Sequence, residues 1–222
     1  LLSQNLTGNV FTKTGYIFSG WTDWTTWYTD GQEVINLTTT NNDIITFTAQ
    51  WTPITYKIDF SWNATNVSGT QAPINAEYDS WDLAPNSSFT RTGYTFTWWN
   101  TQADWSGTWY ATWATLKNLT TTGGATVTLY AQWKANTYTV TFDVNGWNAL
   151  TPNTWAVTYD AAYWTLPSPN REGYTFNGWY TDATAWTEVK STDTVKITQD
   201  TILYAHWTQK SSWWSGGSWW SG

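Results

Sequence analysis

Hydrophobic and polar residues alternate with period two in short runs along the chain: "YKIDF" (56–60), "TVTLYAQW" (126–133), "YTVTF" (138–142) and "TILYAHW" (201–207). Successive side chains of a strand leave opposite faces, so this alternation of β-branched and aromatic with polar residues predicts half-buried strands. No stretch of ten or more residues carries an apolar stripe at helical spacing. The pattern therefore predicts a mainly β or small α+β chain, with at most a short helix in each unit. In the last run Leu203 and Ala205 are expected on one face and Tyr204 and His206 on the other, with Trp207 ending the strand.

The runs recur in a fixed order. "TGYIFSGW" (14–21), "TGYTFTWW" (92–99) and "EGYTFNGW" (172–179) are versions of one phrase about 80 residues apart. Each precedes a closing phrase, "FTAQW" (47–51), "LYAQW" (129–133) or "LYAHW" (203–207), and two copies have an opening strand. The units are a partial repeat over 1–53, full repeats over 54–135 and 136–208, and a Ser/Gly-type linker tail over 209–222. The joints "TPIT" and "KANT" are too short for loose tethers, which predicts a semi-rigid string. Tyr16, Phe18, Trp21 and Trp51, then Tyr94, Phe96, Trp99 and Trp133, then Tyr174, Phe176, Trp179 and Trp207 are the expected repeat core.

The opening "TVTFD" with "NG", the central "EGYTF" with "GW" and the closing "LYAHW" together resemble the Listeria–Bacteroides repeat, the internalin B-repeat family. The resemblance implies a small β-grasp-like (ubiquitin-like) module, found in tandem on bacterial surface proteins between a recognition domain and an anchor. It brings no catalytic residues.

Six of the 22 tryptophans lie in the shared phrases. The other sixteen are Trp24, Trp27, Trp62, Trp81, Trp98, Trp105, Trp109, Trp113, Trp147, Trp155, Trp164, Trp186, Trp213, Trp214, Trp219 and Trp220, and most fall where turns are expected. Trp98 aligns with Gly20 and Gly178, and Trp24 and Trp105 follow Asp, where Asp-Gly is the common turn pair. Replacing all sixteen by Gly turns "SSWWSGGSWWSG" (211–222) into a regular linker. UGA codons are read as Trp in some genetic codes and as Gly in another, so the expectation is that these positions are glycine in the organism. The alternative is an aromatic surface that binds protein or glycan. Sixteen exposed indoles would exceed the apolar patch of an ordinary soluble monomer.

Composition narrows the function. A net charge of -7 with only 9 Lys and Arg argues against nucleic acid and anionic membrane surfaces. Without cysteine there is no disulfide framework, thiolate nucleophile or Cys-based metal site. No apolar run approaches a spanning helix, and a chain beginning with Leu reads as a piece of something longer.

The only histidine, His206, aligns with Gln50 and Gln132, which transfer no protons, so it reads as a polar surface residue. Asp23, Asp104 and Asp182 recur after the central Trp and read as turn caps. Lys57 invites an isopeptide cross-link, but Thr139 replaces it in the next unit. Sequons at Asn5, Asn36, Asn63, Asn66, Asn86 and Asn118 suit solvated loops. No enzyme, cofactor or metal is expected. The expectation is a non-catalytic segment of a bacterial secreted or cell-surface protein, a stalk displaying an adhesive domain. The alternative partner is a surface protein or glycan of another cell, held by the modules themselves.

Overall fold

A computed structural model describes residues 3–40, 42–146, 149–184 and 187–211, and its regular elements are all strands. The sequence allows at most a short helix in each unit, and among the described residues none forms. The long crossovers, 78–93 and 159–173, explain why: they are rich in Asn, Ser, Thr and Asp, carry no helical stripe, and include Pro85 in one and Pro167 and Pro169 in the other. They run extended and still contribute Ala84, Phe89 and Tyr163 to the buried set.

Each complete repeat is a five-stranded sheet. In the third repeat the strands lie side by side in the order Thr154–Thr158, Thr137–Asp143, Thr201–Gln209, Tyr174–Tyr180, Glu188–Val189. In the second the order is Ile74–Glu77, Thr55–Ser61, Thr126–Ala135, Tyr94–Asn100, Trp109–Tyr110. Numbered within the repeat, both read 2-1-5-3-4. The opening and closing strands pair in parallel, with Phe60 opposite Leu129 and Phe142 opposite Leu203, whereas the outer strands of both sheets and the central strand of the third repeat pair antiparallel. The first repeat keeps only the second half of this plan, Tyr16–Thr22 between Trp27–Tyr28 and Thr48–Pro53. By spatial contact the described residues form two compact units, one reaching to Thr90 and including Phe96–Trp133, the other of Arg91–Thr95 with the described residues from Lys134 to Ser211.

The core of the third repeat contains Val140, Phe142, Val144, Val157, Tyr163, Trp179, Val189, Val195, Leu203 and Ala205. In each complete repeat two indoles are fixed by their N–H groups, because a buried polar handle needs a partner. Trp99 (0% exposed) donates to the Pro85 carbonyl at 2.8 Å, and Trp179 (1%) to that of Pro167 at 2.7 Å. The closing Trp133 donates to the Trp62 carbonyl at 2.8 Å and Trp207 to that of Val144 at 3.0 Å. Asn63 and Asn145, next in the chain and both at positive φ, donate to the Ala131 and Ala205 carbonyls.

Two expectations are corrected. Tyr16, Tyr94 and Tyr174 are half-buried, and Tyr174 is not in the core cluster that Phe176 and Trp207 pack against. The closing strand runs two residues past Trp207, to Gln209.

Trp179→Ala should destabilise the chain by about 3–5 kcal/mol in urea unfolding, because it removes a fully buried ring and orphans the Pro167 carbonyl. A loss below about 1 kcal/mol would contradict this core assignment.

Candidate functional site at the repeat joints

The tyrosines missing from the core are at the joints. Tyr16 donates its hydroxyl to Asp79 Oδ2 at 2.8 Å, and its ring meets Tyr78 edge-on at 5.9 Å. Tyr94 donates to Asp160 Oδ2 at 2.8 Å, and its ring meets Tyr159 edge-on at 5.7 Å. The preceding glycine has φ +77° at Gly15 and +76° at Gly93, and a Cβ on either would lie 2.3 Å from the facing tyrosine ring. Only a residue without a side chain fits there, on both counts.

The backbone completes the same device. Ile54 donates to the Gly15 carbonyl and accepts from Tyr78 N–H, while Asn136 donates to the Gly93 carbonyl and accepts from Tyr159 N–H, all at 2.9 Å. A cation lies over each tyrosine: Lys13 at 3.5 Å from the Tyr16 ring and Arg91 at 3.6 Å from the Tyr94 ring. Each aspartate is held by further partners. Asp79 accepts from Asn118 Nδ2 at 3.0 Å with Lys117 at 3.5 Å, and Asp160 pairs with Lys196. The first clasp lies wholly within one compact unit and the second wholly within the other.

Both aspartates are held below the ordinary carboxylate range, Asp79 by hydrogen bonds from Asn118 and Tyr16, Asp160 by those from Lys196 and Tyr94. Tyr16 is raised chiefly by its bond to Asp79, and Tyr94 by burial and then by Asp160.

Elsewhere the chain shows structural chemistry. Asp23, Asp104 and Asp182 accept from the backbone N–H two residues on, at 2.8, 3.1 and 2.8 Å. The hydrogen bonds of Thr25 and Ser106 hold Asp23 and Asp104 low. His206, expected on the surface, is buried: its ring stacks on Tyr180 at 3.8 Å, and Nε2 lies 3.0 Å from the Asp182 carbonyl. Gln132 makes the equivalent contact, donating to the Gln102 carbonyl at 3.2 Å, so this position fixes a loop. Lys57 pairs with Asp59 at 2.8 Å. Two of the sequon asparagines are not loose in solvent, because the Asn63 amide is pinned to Ala103 and Ala131 and that of Asn118 to Asp79. Among the described residues no three His or carboxylate groups gather as metal ligands.

Comparison with known proteins finds the Listeria-Bacteroides repeat domain over residues 56–132 and 138–206. The chain belongs to the Listeria-Bacteroides repeat family. Two relatives come from Evansella cellulosilytica. One, named as a Gly-rich membrane protein, is 34% identical over 207 residues, 90% of this chain and 23% of its own length. The other, named as a membrane protein, is 29% identical over 163 residues, 73% of this chain and 22% of its own length. The chain thus spans less than a quarter of each.

Within these Listeria-Bacteroides repeats the two sets of tryptophan have different surroundings. Trp21, Trp99, Trp133 and Trp179 are buried, and Trp51 and Trp207 are half-buried. Of the other set, Trp24, Trp27, Trp62, Trp81, Trp105, Trp109, Trp113 and Trp164 are exposed. Among the described residues, positive φ outside Gly, Asn and Asp occurs only at Trp24, Trp105 and Trp113. The expectation of turns is corrected at four sites: Trp27, Trp98, Trp109 and Trp155 lie in strands. Trp98 also lacks the positive φ of Gly20 and Gly178, which form bulges. Trp147, Trp186, Trp213, Trp214, Trp219 and Trp220 lie outside the described residues.

A group held low stabilises the fold fully above its unfolded value and loses that contribution as pH falls, so the aspartates support the joints above about pH 4. The raised tyrosines support them below about pH 10 by the converse rule. The variant Asp79→Asn/Asp160→Asn should therefore unfold with a shallower pH dependence between about pH 5 and 3, the residual slope coming from Asp23 and Asp104. An unchanged slope would contradict the clasp. Separately, Trp24→Gly and Trp113→Gly should each raise stability by about 1 kcal/mol in urea unfolding, by relieving left-handed backbone that an L side chain resists; a loss would contradict the strain.

Proposed function

We propose that this chain is a stalk segment of a bacterial cell-envelope protein, holding an adhesive domain away from the surface. The observation that carries the reading is the parallel pairing of each repeat's opening and closing strands. The chain enters a repeat by one of these strands and leaves by the other. A pull along the string therefore loads their hydrogen bonds together in shear, whereas an antiparallel hairpin would open one bond at a time. The clasps add support, because each binds the Gly-Tyr turn of one repeat to the Tyr-Asp turn of the next. The strand order 2-1-5-3-4 with this parallel pair favours a β-grasp-like ancestry in which the crossover runs extended. The names of the Evansella relatives, which refer to membrane proteins, agree with an envelope location. Among the described residues no helix is long and apolar enough to cross a membrane.

The reading extends to the sixteen tryptophans, which we take as glycine in the organism; the left-handed backbone at Trp24, Trp105 and Trp113 carries that assignment. A second reading, in which the modules bind a protein or glycan, draws on one feature. Trp98, Trp105 and Trp109 line an open notch with Asn100, the Trp98 and Trp105 rings meeting edge-on at 5.3 Å. Such a notch needs genuine tryptophan.

Two measurements test this function. Pulled from its ends, the chain should extend in two discrete high-force events, one per complete repeat, whereas smooth extension would contradict the stalk. Intact mass from native cells should fall well below 25.4 kDa for this segment, with Gly at positions 62, 98 and 105. A mass matching 25.4 kDa would leave the aromatic notch as the leading site.

A further inference from the structure

The third repeat carries half of a clasp. Lys210 donates to the Gly173 carbonyl at 2.8 Å, as Ile54 does to Gly15 and Asn136 to Gly93. Gly173 has φ +75°, matching the other two, and Arg171 stands 3.5 Å over the Tyr174 ring as Lys13 and Arg91 stand over theirs. No aromatic ring of the described residues lies on Gly173. Gly15 and Gly93 are buried and Gly173 is exposed. A Cβ on Gly173 meets no described atom within 4 Å, and the Tyr174 hydroxyl has no aspartate partner among the described residues.

We infer that Gly173, Tyr174 and Lys210 form a docking site for the Tyr-Asp turn of a further Listeria-Bacteroides repeat on the same polypeptide. The inference rests on reading the chain as a string of repeats. The chemistry is set by the two filled clasps: an aromatic ring laid on the bare glycine, a carboxylate accepting from Tyr174, and a backbone N–H donated to Lys210. The recognising patch is small, one ring and two hydrogen bonds, too little for firm association between separate molecules. Tethering on one polypeptide presents the turn at roughly millimolar effective concentration, which a contact of this size can use. The Ser/Gly-type sequence after Lys210 separates this joint from the two direct ones, so here the clasp holds repeats that the chain itself does not abut.

The test extends the full 222-residue chain with a copy of residues 137–208 placed after residue 222. The Tyr174 ring resonances should then move as its hydroxyl bonds to the incoming carboxylate, and the Gly173 Hα resonance should move upfield under the incoming ring. Gly173→Asn in the extended chain should reverse both effects. Asn accepts left-handed backbone, as it does at six positions here, so the variant folds while its Cβ fills the ring's place. A second chain, with the copy placed directly after Lys210, guards against failure of the longer form to fold. If neither chain shifts Tyr174 and Gly173, the inference is overturned. The force experiment on the parent chain is independent of this result.

Discussion

In each complete repeat the closing strand lies between the opening strand, which it meets in parallel, and the central strand, which it meets antiparallel. The rest of the repeat follows from that placement. Leu129 and Leu203 occupy the middle of the core because their strand is central, and the closing tryptophan can reach the turn after the opening strand to fix it through a carbonyl. The residue just beyond this strand, Ile54 or Asn136, bonds back to the Gly-Tyr turn and accepts from the next repeat. One strand thus closes a repeat and begins its joint.

Two kinds of aromatic residue serve these ends. Buried indoles such as Trp99 and Trp179 fill volume and spend their single N–H on a backbone carbonyl, so each is fixed in orientation as well as depth. The joint tyrosines use an amphipathic body differently, with a ring edge against a second ring and a hydroxyl on a carboxylate. The glycine before each is indispensable because it satisfies two demands at once, left-handed backbone and room for the facing ring.

Much of the fold was legible in the sequence. Period-two alternation located the opening and closing strands, and the recurrence of "GYTFNGW" with "LYAHW" located the central strand and marked the repeats. The resemblance pointed to the right repeat family, but nothing in the alternation could reveal the strand order, which depends on contacts across more than 60 residues. The alternation left room for at most a short helix per unit, and none forms among the described residues because the crossovers carry proline and cap-forming residues in place of a stripe. His206 does leave the face opposite Leu203 and Ala205, but Tyr180 and the Asp182 loop cover it there, and alternation gives a residue's face without showing what packs over it. The clasp was missed although its signal was present: "YD" at 78–79 and 159–160 recurs 15 and 14 residues ahead of "GY" at 93–94 and 173–174. Reading Tyr16, Tyr94 and Tyr174 as core hid that pairing, since sequence alone gives an aromatic residue's periodicity but not whether its neighbour belongs to the same repeat.

The central claim is that one clasp, a tyrosine ring laid on a bare glycine, is built at both joints of this chain. Proton NMR of the glycine Hα resonances tests it most directly, because the missing Cβ direction at Gly15 and Gly93 points into the facing rings. Both residues should show upfield ring-current shifts and Overhauser contacts to Tyr78 and Tyr159, with neither effect at Gly173. Ordinary shifts at Gly15 and Gly93, indistinguishable from that of Gly173, would contradict the account.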